Sequence, residues 1–417
     1  MSPYFALFSL TVLAAWGQQD PAFSHVPFDD WLKGAPEGHL KWSAQTLFPH
    51  LSVHQRLIAG VSARIDGSEF VGRKPGQLVV FVELRDSDNR TYRTYGVMNS
   101  AELNRPGDLA LAALDMYAFI RPGEYRVAVA VYDRESKEHV LKRLKLRVPE
   151  LTRDPLPNLW NSLPAVEFID MSQEPPDRWF FPDAVGRLNL PVANAAPLRV
   201  DVVVNESPTE NSMGRAGRTT RRNMGSLIPA LKVLSQMEIQ NGSVNVALLD
   251  LERRKVSFTQ DNAVTLDWAG LKAALQDNDP NTIDVKALEH HEQNAQFFIS
   301  EIRKRCETNP TGALIVLSGP MAFAKGQDLT PIPAVPGAKV FYIRYYPPSP
   351  GPSVGLAPRG RGMGPPPPMI GRRSMMSQDD SLAATLKPLS PKRFDVSTAG
   401  EFRSALAAIV SELSRTK

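Results

Sequence analysis

Any chemistry in this chain would have to come from a few local groupings of reactive side chains. His290 and His291 stand beside Asp284, Glu289 and Glu292, a mixture of imidazole and carboxylate that can bind zinc or move protons. Adjacent residues on a helix point about a quarter-turn apart, whereas a two-histidine zinc face needs i, i+4 spacing, so a solvated helix face is expected instead. Ser318-Gly319 ends an apolar run, where a hydrolase nucleophile could sit. The surrounding Val316-Leu317-Ser318-Gly319-Pro320 lacks the Gly-x-Ser-x-Gly turn that exposes such a serine. Gly214-Arg215-Ala216-Gly217 lacks the further glycine and the lysine of a phosphate loop, and no dinucleotide fingerprint occurs. We therefore assign no catalytic residue and expect no enzyme.

The segment after residue 205 carries Arg215, Arg218, Arg221 and Arg222, with Gly214 and Gly217, just ahead of an amphipathic stretch. Helix N-terminal amides and guanidinium groups at the carboxyl ends of strands favour an anion. These arginines are thus candidate contacts for a carboxylate, a phosphate or an acidic partner surface, set against the plainer reading of a solvated basic loop. Cys306 is the only cysteine, which excludes an internal disulfide framework and a cysteine-rich zinc site. A formal charge of +4 over 417 residues, with acids and bases interspersed, points away from nucleic acid.

The elements that must position these groups begin after a candidate export signal at residues 1–17. An apolar run over residues 4–15, too short to span a bilayer, ends in Ala15-Trp16-Gly17, and cleavage is expected near Gln18. No lysine or arginine precedes the run, a departure from the usual cationic start. No later run is long enough for a membrane helix, so the mature chain is expected in the periplasm or outside the cell. A mature chain of about 400 residues exceeds one ordinary core, and two domains are expected.

After an extension over 18–41, residues 42–149 read as short strands at 42–48, 56–65, 78–84, 91–97, 109–120, 125–132 and 140–148. Such density over about a hundred residues predicts an immunoglobulin-like antiparallel β-sandwich. Tyr125, Val127, Val129 and Val131 alternate onto one face, the mark of a half-buried strand. Residues 150–197 are rich in proline and carry Trp160, Trp179, Phe180 and Phe181, which predicts an ordered connector. From 198 to 417 apolar runs at 198–204, 244–249, 313–317 and 340–345 alternate with helical stretches. That order predicts a doubly wound, Rossmann-like α/β domain with helices on both faces of a mostly parallel sheet. A helix over 285–306 places Ala295, Phe298, Ile299, Ile302 and Cys306 on one stripe, and Thr398 with Glu401 spells a capping box before the last helix. Residues 347–391, with Pro365 to Pro368 and scattered glycines, are expected to be a mobile, partly polyproline II insertion, serving as a partner motif or as a spacer.

In these residues the chain resembles a von Willebrand factor A domain, and its exported layout looks like the VWFA-related proteins of acidobacterial type. The resemblance rests on residues 200–205 as first strand, Asn281-Thr282-Ile283-Asp284 before a long helix, residues 313–319 as a later strand, and the ending over 394–413. Members with an intact metal-ion-dependent adhesion site use an Asp-x-Ser-x-Ser loop, a threonine and an aspartate. The matching positions here read Asn205-x-Ser207-x-Thr209, Thr282 and Gly319. Both carboxylates are replaced, and Mg²⁺ is usually held by at least one or two of them, so no bound metal and no cofactor are expected. The resemblance then implies a non-catalytic interaction or scaffold protein with an unidentified protein partner. The alternative is an envelope enzyme or small-anion-binding protein using the arginine-rich crevice.

Overall fold

The computed structural model describes residues 23, 25–34, 38–70, 76–99, 111–169, 186–207, 216–276, 293–323, 331–346 and 380–415. The chain divides into two compact units, one drawn from Met1–His50, Ile58–Glu150 and Ala165–Ile169, the other from Leu51–Leu57, Leu151–Pro164 and Asp170–Lys417.

The first unit opens with a single helical turn, α1 (Phe28–Trp31), followed by β1 (Trp42–Leu51), β2 (Leu57–Asp66), β3 (Gln77–Arg85), β4 (Thr91–Asn99), β5 (Leu111–Ile120), β6 (Gly123–Asp133), β7 (His139–Val148) and β8 (Val166–Ile169). They form two four-stranded sheets, ordered β1-β2-β5-β8 and β4-β3-β6-β7. Neighbours β2/β5, β5/β8, β3/β4, β3/β6 and β6/β7 all run antiparallel. Ala59, Val61 and Ala118 from the first sheet line a common small cavity with Val82, Leu84 and Leu146 from the second, so the sheets pack face to face. The alternation read in β6 explains this, because Tyr125, Val127, Val129 and Val131 are all buried on one side. Tyr125 also pins the entry to β6, its hydroxyl donating to the Arg121 carbonyl at 2.9 Å in a tyrosine-corner arrangement. Turn chemistry joins β3 to β4, where Asn89 takes a left-handed φ of 62° and Asp86 Oδ1 accepts from Arg90 N–H at 2.9 Å.

The second unit contains β9 (Leu190–Val192), β10 (Leu198–Asn205), α2 (Ala216–Ser235), β11 (Met237–Ile239), β12 (Gly242–Asp250), β13 (Lys255–Gln260), α3 (Trp268–Gln276), α4 (Asn294–Thr308), β14 (Ala313–Ser318), β15 (Lys339–Tyr345), α5 (Ser381–Leu386), β16 (Lys392–Val396) and α6 (Ala399–Leu413). Six strands form one sheet in the order β13-β12-β10-β14-β15-β16. Its pairs are parallel except at the edge, where β13 runs antiparallel to β12. β9 and β11 make a separate parallel pair. Gly242 lets β12 begin against β10, since a Cβ there would stand 1.8 Å from the Leu198 carbonyl oxygen.

The expected fold class, an α+β chain with an immunoglobulin-like sandwich followed by a doubly wound, Rossmann-like α/β domain, is corrected. Among the described residues strand accounts for 42% and helix for 24%, with several antiparallel sheets and few helices. The physical reason is that a continuous β-branched run reports burial on both faces without specifying helices as the cover. Local limits shift too. The described part of the helix expected over 285–306 begins at Asn294, and 285–292 lie outside the described residues, as do the export signal, Trp179, Phe180 and Phe181. The insertion expected to stay mobile to 391 is ordered from Asp380 onward, because Asp380 caps α5 and Leu382, Leu386 and Leu389 are buried. Its portion over 347–379 lies outside the described residues.

A buried ion pair ties the last helix of the second unit to its Leu151–Pro164 segment. Arg403 on α6, 2% exposed, grips Asp154 in a bidentate pair at 2.6 Å for each bond and donates to the Leu156 carbonyl at 3.0 Å. Its guanidinium lies 4.5 Å from the centre of the Trp160 ring, whose Nε1–H donates to the Gln55 carbonyl. Gln55 is fully buried at a left-handed φ of 58°, held there by its amide donating to the Ala399 carbonyl. Burial pushes the Asp154 carboxyl up, but the hydrogen bonds from Arg403 and Leu156 N–H, with the Arg403 charge, hold it below the usual value. A depressed carboxylate pKa stabilises the folded state above the unfolded pKa of 3.8 and loses that contribution as pH falls through the lower folded value. Asp154→Ala should cost about 3–5 kcal/mol by leaving a buried guanidinium unpaired, and adding Arg403→Met should recover much of it. Urea unfolding at pH 7 reads both effects, and Asp154→Asn should flatten the acid limb of stability below about pH 4.

Candidate functional site

The polar residues that the sequence places at the end of β10 lie inside the protein. The parallel register sets Asn205 beside Leu249 on β12 and Val204 beside Leu317 on β14. Three strand ends thereby converge, bringing Asn205, Glu206, Ser207, Asp250 and Ser318 together, all of them buried. Asn205 uses both ends of its amide. Oδ1 accepts from Ser207 N–H at 3.0 Å, while Nδ2 approaches Ser318 Oγ at 3.0 Å and Met321 Sδ at 3.2 Å. Ser207 Oγ accepts from Leu251 N–H at 2.7 Å and lies 3.5 Å from Asp250 Oδ1. Asp250 in turn accepts from Arg253 N–H at 3.0 Å and pairs with its guanidinium at 3.1 Å. Ser318 Oγ donates to the Gly319 carbonyl at 2.7 Å. The arrangement is a stitched polar plug in which each strand end satisfies its neighbour.

One member of the plug is electrostatically tuned. Burial raises the Glu206 carboxyl to about 8, Asp250 pushes the same way, and Ser257, Lys255 and Arg253 only partly oppose them. Glu206 is therefore mostly protonated near neutrality, a donor as well as an acceptor.

A second polar cluster occupies the end of β15. Buried Arg344 donates to Asp395 at 2.7 Å and to Asp380 at 3.1 Å, and the Tyr342 hydroxyl reaches Asp380 at 3.1 Å. Burial pushes the Asp380 carboxyl up despite the Ala383 N–H, Arg344 and Tyr342 that favour its charge. Burial and the neighbouring Asp380 hold the Tyr342 phenol well above 10.

Of the residues singled out in the sequence, the structure brings Asn205, Ser207 and Gly319 together and buries Asn205 and Ser207 deeply. Arg218, Arg221 and Arg222 fall in the first two turns of α2. Thr209, Arg215 and Thr282 lie outside the described residues, as do Asp284, Glu289, His290, His291 and Glu292. Cys306 lies buried on α4, its thiol pushed up to about 11 by burial, with Asp201 and Glu307 adding to the shift. Among the described residues no group of three or more His, Cys, Asp or Glu side chains is placed to hold a metal ion. Sequence reasoning missed Asp250, although its signal was there: it ends the apolar run of β12 as Asn205 ends that of β10. Met321 carried no comparable signal.

No family model and no curated protein matches the chain. Among solved structures, the putative ApaA protein from Bordetella pertussis is 12% identical over 28% of this chain and 100% of its own, with a TM-score of 0.17. A beta-glucosidase from Listeria innocua is 14% identical over 27% of this chain and 17% of its own, at 0.17. A glycosyl hydrolase family 2 member from Bacteroides cellulosilyticus is 8% identical over 73% of this chain and 37% of its own, at 0.19. At such TM-scores these likenesses carry no argument about fold or activity.

The Glu206 shift has a sign. A carboxyl raised from 4.5 to about 8 binds its proton in the folded state while the unfolded chain has released it. Stability from this group is therefore complete below pH 4.5, declines between pH 4.5 and 8, and levels off above. Glu206→Gln should remove that decline and be the more stable protein at pH 8, as read by urea midpoints across the pH range.

Proposed function

We propose that this chain is an exported, non-catalytic interaction or scaffold protein that recognises a protein partner without a resident metal ion. The single observation supporting this reading is the stitched end of β10: Asn205 Oδ1 and Nδ2 and Ser207 Oγ all have protein partners inside the fold. An amide oxygen already accepting a backbone N–H is a poor replacement for an aspartate, and Mg²⁺ gives up its water reluctantly. The reading keeps from the VWFA-related resemblance only the placing of a contact surface near the start of α2, since Asn205 and Ser207 themselves are buried. Export rests on the apolar run over 4–15 and the small residues at Ala15 and Gly17. No helix among the described residues is long and apolar enough to cross a membrane.

Calorimetry of the full chain with Mg²⁺ or Mn²⁺ should give no tight binding, and tight binding that Asn205→Ala abolishes would refute metal-free recognition. The function itself is tested by affinity capture from the exporting cell's envelope, with and without EDTA. A protein partner retained in equal proportion under both conditions is the expected result. Retention that requires a divalent ion, or a small ligand held in place of a protein, overturns the proposal.

A further inference from the structure

The outer face of the β4-β3-β6-β7 sheet is divided in two. The half around Phe81 is covered by the segment before β1, where Phe23, Phe28 and Trp31 are buried. Arg93, held by buried Glu83 at 2.9 Å, lies there with its guanidinium 5.5 Å from the Phe23 ring and 5.4 Å from the Phe28 ring. The other half is open and is built from charge. Tyr125 and Val127 of β6 are buried, and Leu84 of β3 and Leu146 of β7 line the cavity between the sheets. Strand alternation therefore turns Arg85, Arg126, Lys145 and Arg147 outward. Arg126, Lys145 and Arg147 are exposed, and Arg85 is partly so.

The register lines three of these cations up on one rung. Arg85 of β3 stands opposite Arg126 of β6, and Arg126 stands opposite Lys145 of β7. Each step is one strand spacing, about 4.8 Å between backbones. Arg143 and Arg147 flank Lys145 along β7, each about 6.8 Å further along the strand. Like charges directly opposite one another across a sheet destabilise it. Only part of that cost is offset. Arg85 pairs with Glu83 at 2.9 Å, Arg126 reaches the uncharged amide oxygen of Asn89, and Glu124 stands opposite Arg147. Among the described residues Lys145 and Arg147 make no ion pair. A sheet that keeps three cations abreast breaks a local rule of strand pairing, as functional surfaces do.

The shape of the array selects the partner. It runs in two directions, across the strands and along β7, and so matches a plane of anions better than a single chain of them. Among the described residues this half turns no aromatic ring outward on which the bases of a nucleic acid would stack. We propose that this open half is a docking surface for an anionic phospholipid bilayer, whose headgroup phosphates meet Arg85, Arg126, Lys145 and the flanking arginines of β7. The contact is peripheral, since the aromatic rings of the neighbouring segment are buried and attraction comes from charge without insertion. It goes beyond recognition of a protein partner and does not depend on what that partner is.

Sedimentation of the full chain with vesicles tests this, using phosphatidylcholine alone and phosphatidylcholine mixed with phosphatidylglycerol in a two-to-one ratio. The chain should bind the mixed vesicles and leave the neutral ones in solution. Raising salt from about 0.1 M to about 1 M should release it, because the screening length falls from about 10 Å to about 3 Å. Each cation near an anionic bilayer is worth roughly 5-fold in partition, so Arg126→Gln, Lys145→Gln and Arg147→Gln together should weaken binding at least about 10-fold. The same variant should have an equal or higher urea midpoint, since neutralising the rung relieves repulsion. A control with the same loss of charge on exposed residues of the second unit, Lys304→Gln, Lys387→Gln and Arg415→Gln, should bind within about 2-fold of the natural chain. Unchanged binding by the first variant, or equal weakening by both, overturns the proposal. So does a lowered midpoint in the first variant, which would make the rung a structural device. A chain that ignores the mixed vesicles yet binds dextran sulfate through the same three residues overturns the bilayer as the occupant.

Discussion

Polar side chains removed from water must find partners inside the protein, and that constraint shapes the second unit more than any other. Leu198–Asn205 is one of the two central strands of a six-stranded sheet and is buried along nearly its whole length. Everything polar on it is consequently committed. Asp201, 1% exposed, accepts from Asn245 and Asn309 at 3.0 Å each and from Arg199 at 3.1 Å. At the end of the strand, Asn205 and Ser207 are committed in the same way. An unmet group in such a place costs on the order of 1–3 kcal/mol, so these networks fix register as firmly as the apolar contacts around them. The chemistry of the strand end follows, since atoms spent on internal bonds are not offered to a ligand.

Much of the strand layout was legible in the sequence because strands leave a local mark. The alternation of Tyr125, Val127, Val129 and Val131 located β6, and the apolar runs at 198–204, 244–249, 313–317 and 340–345 located strands of the larger sheet. The Thr398 and Glu401 pair announced the capping box that begins α6, which the structure contains with both bonds formed. What covers a sheet leaves no such mark. Layering is set by contacts between residues far apart in the chain, so the reading of helices on both faces went beyond what periodicity can carry. The candidate site divides along the same line. Asn205, Ser207 and Gly319 were singled out only through the adhesion-site pattern of the resemblance, whereas the approach of Met321 to Asn205 and the knot through Asp250 depend on which strands become neighbours.

The two units solve a similar problem by different means. In the first, an arginine fixed by a buried glutamate lies against aromatic rings, so charge and apolar surface are presented together. In the second, Arg403 and Arg344 are drawn wholly inside and matched to Asp154, Asp380 and Asp395. Arginine suits both settings because its planar fork meets carboxylates in two places and its face lies flat on a ring.

The clasp at the end of β15 also fixes where the chain leaves and re-enters the sheet. Tyr346 N–H bonds to the Val396 carbonyl at 2.7 Å on departure, and Asp380 is held by Arg344, Tyr342 and the first turn of α5 on return. Both posts are held by groups of the sheet and of α5. One arginine thus serves two ends of the chain at once, because Arg344 reaches Asp380 at the start of α5 and Asp395 on the edge strand β16, so its loss would loosen the re-entry and the sheet edge together.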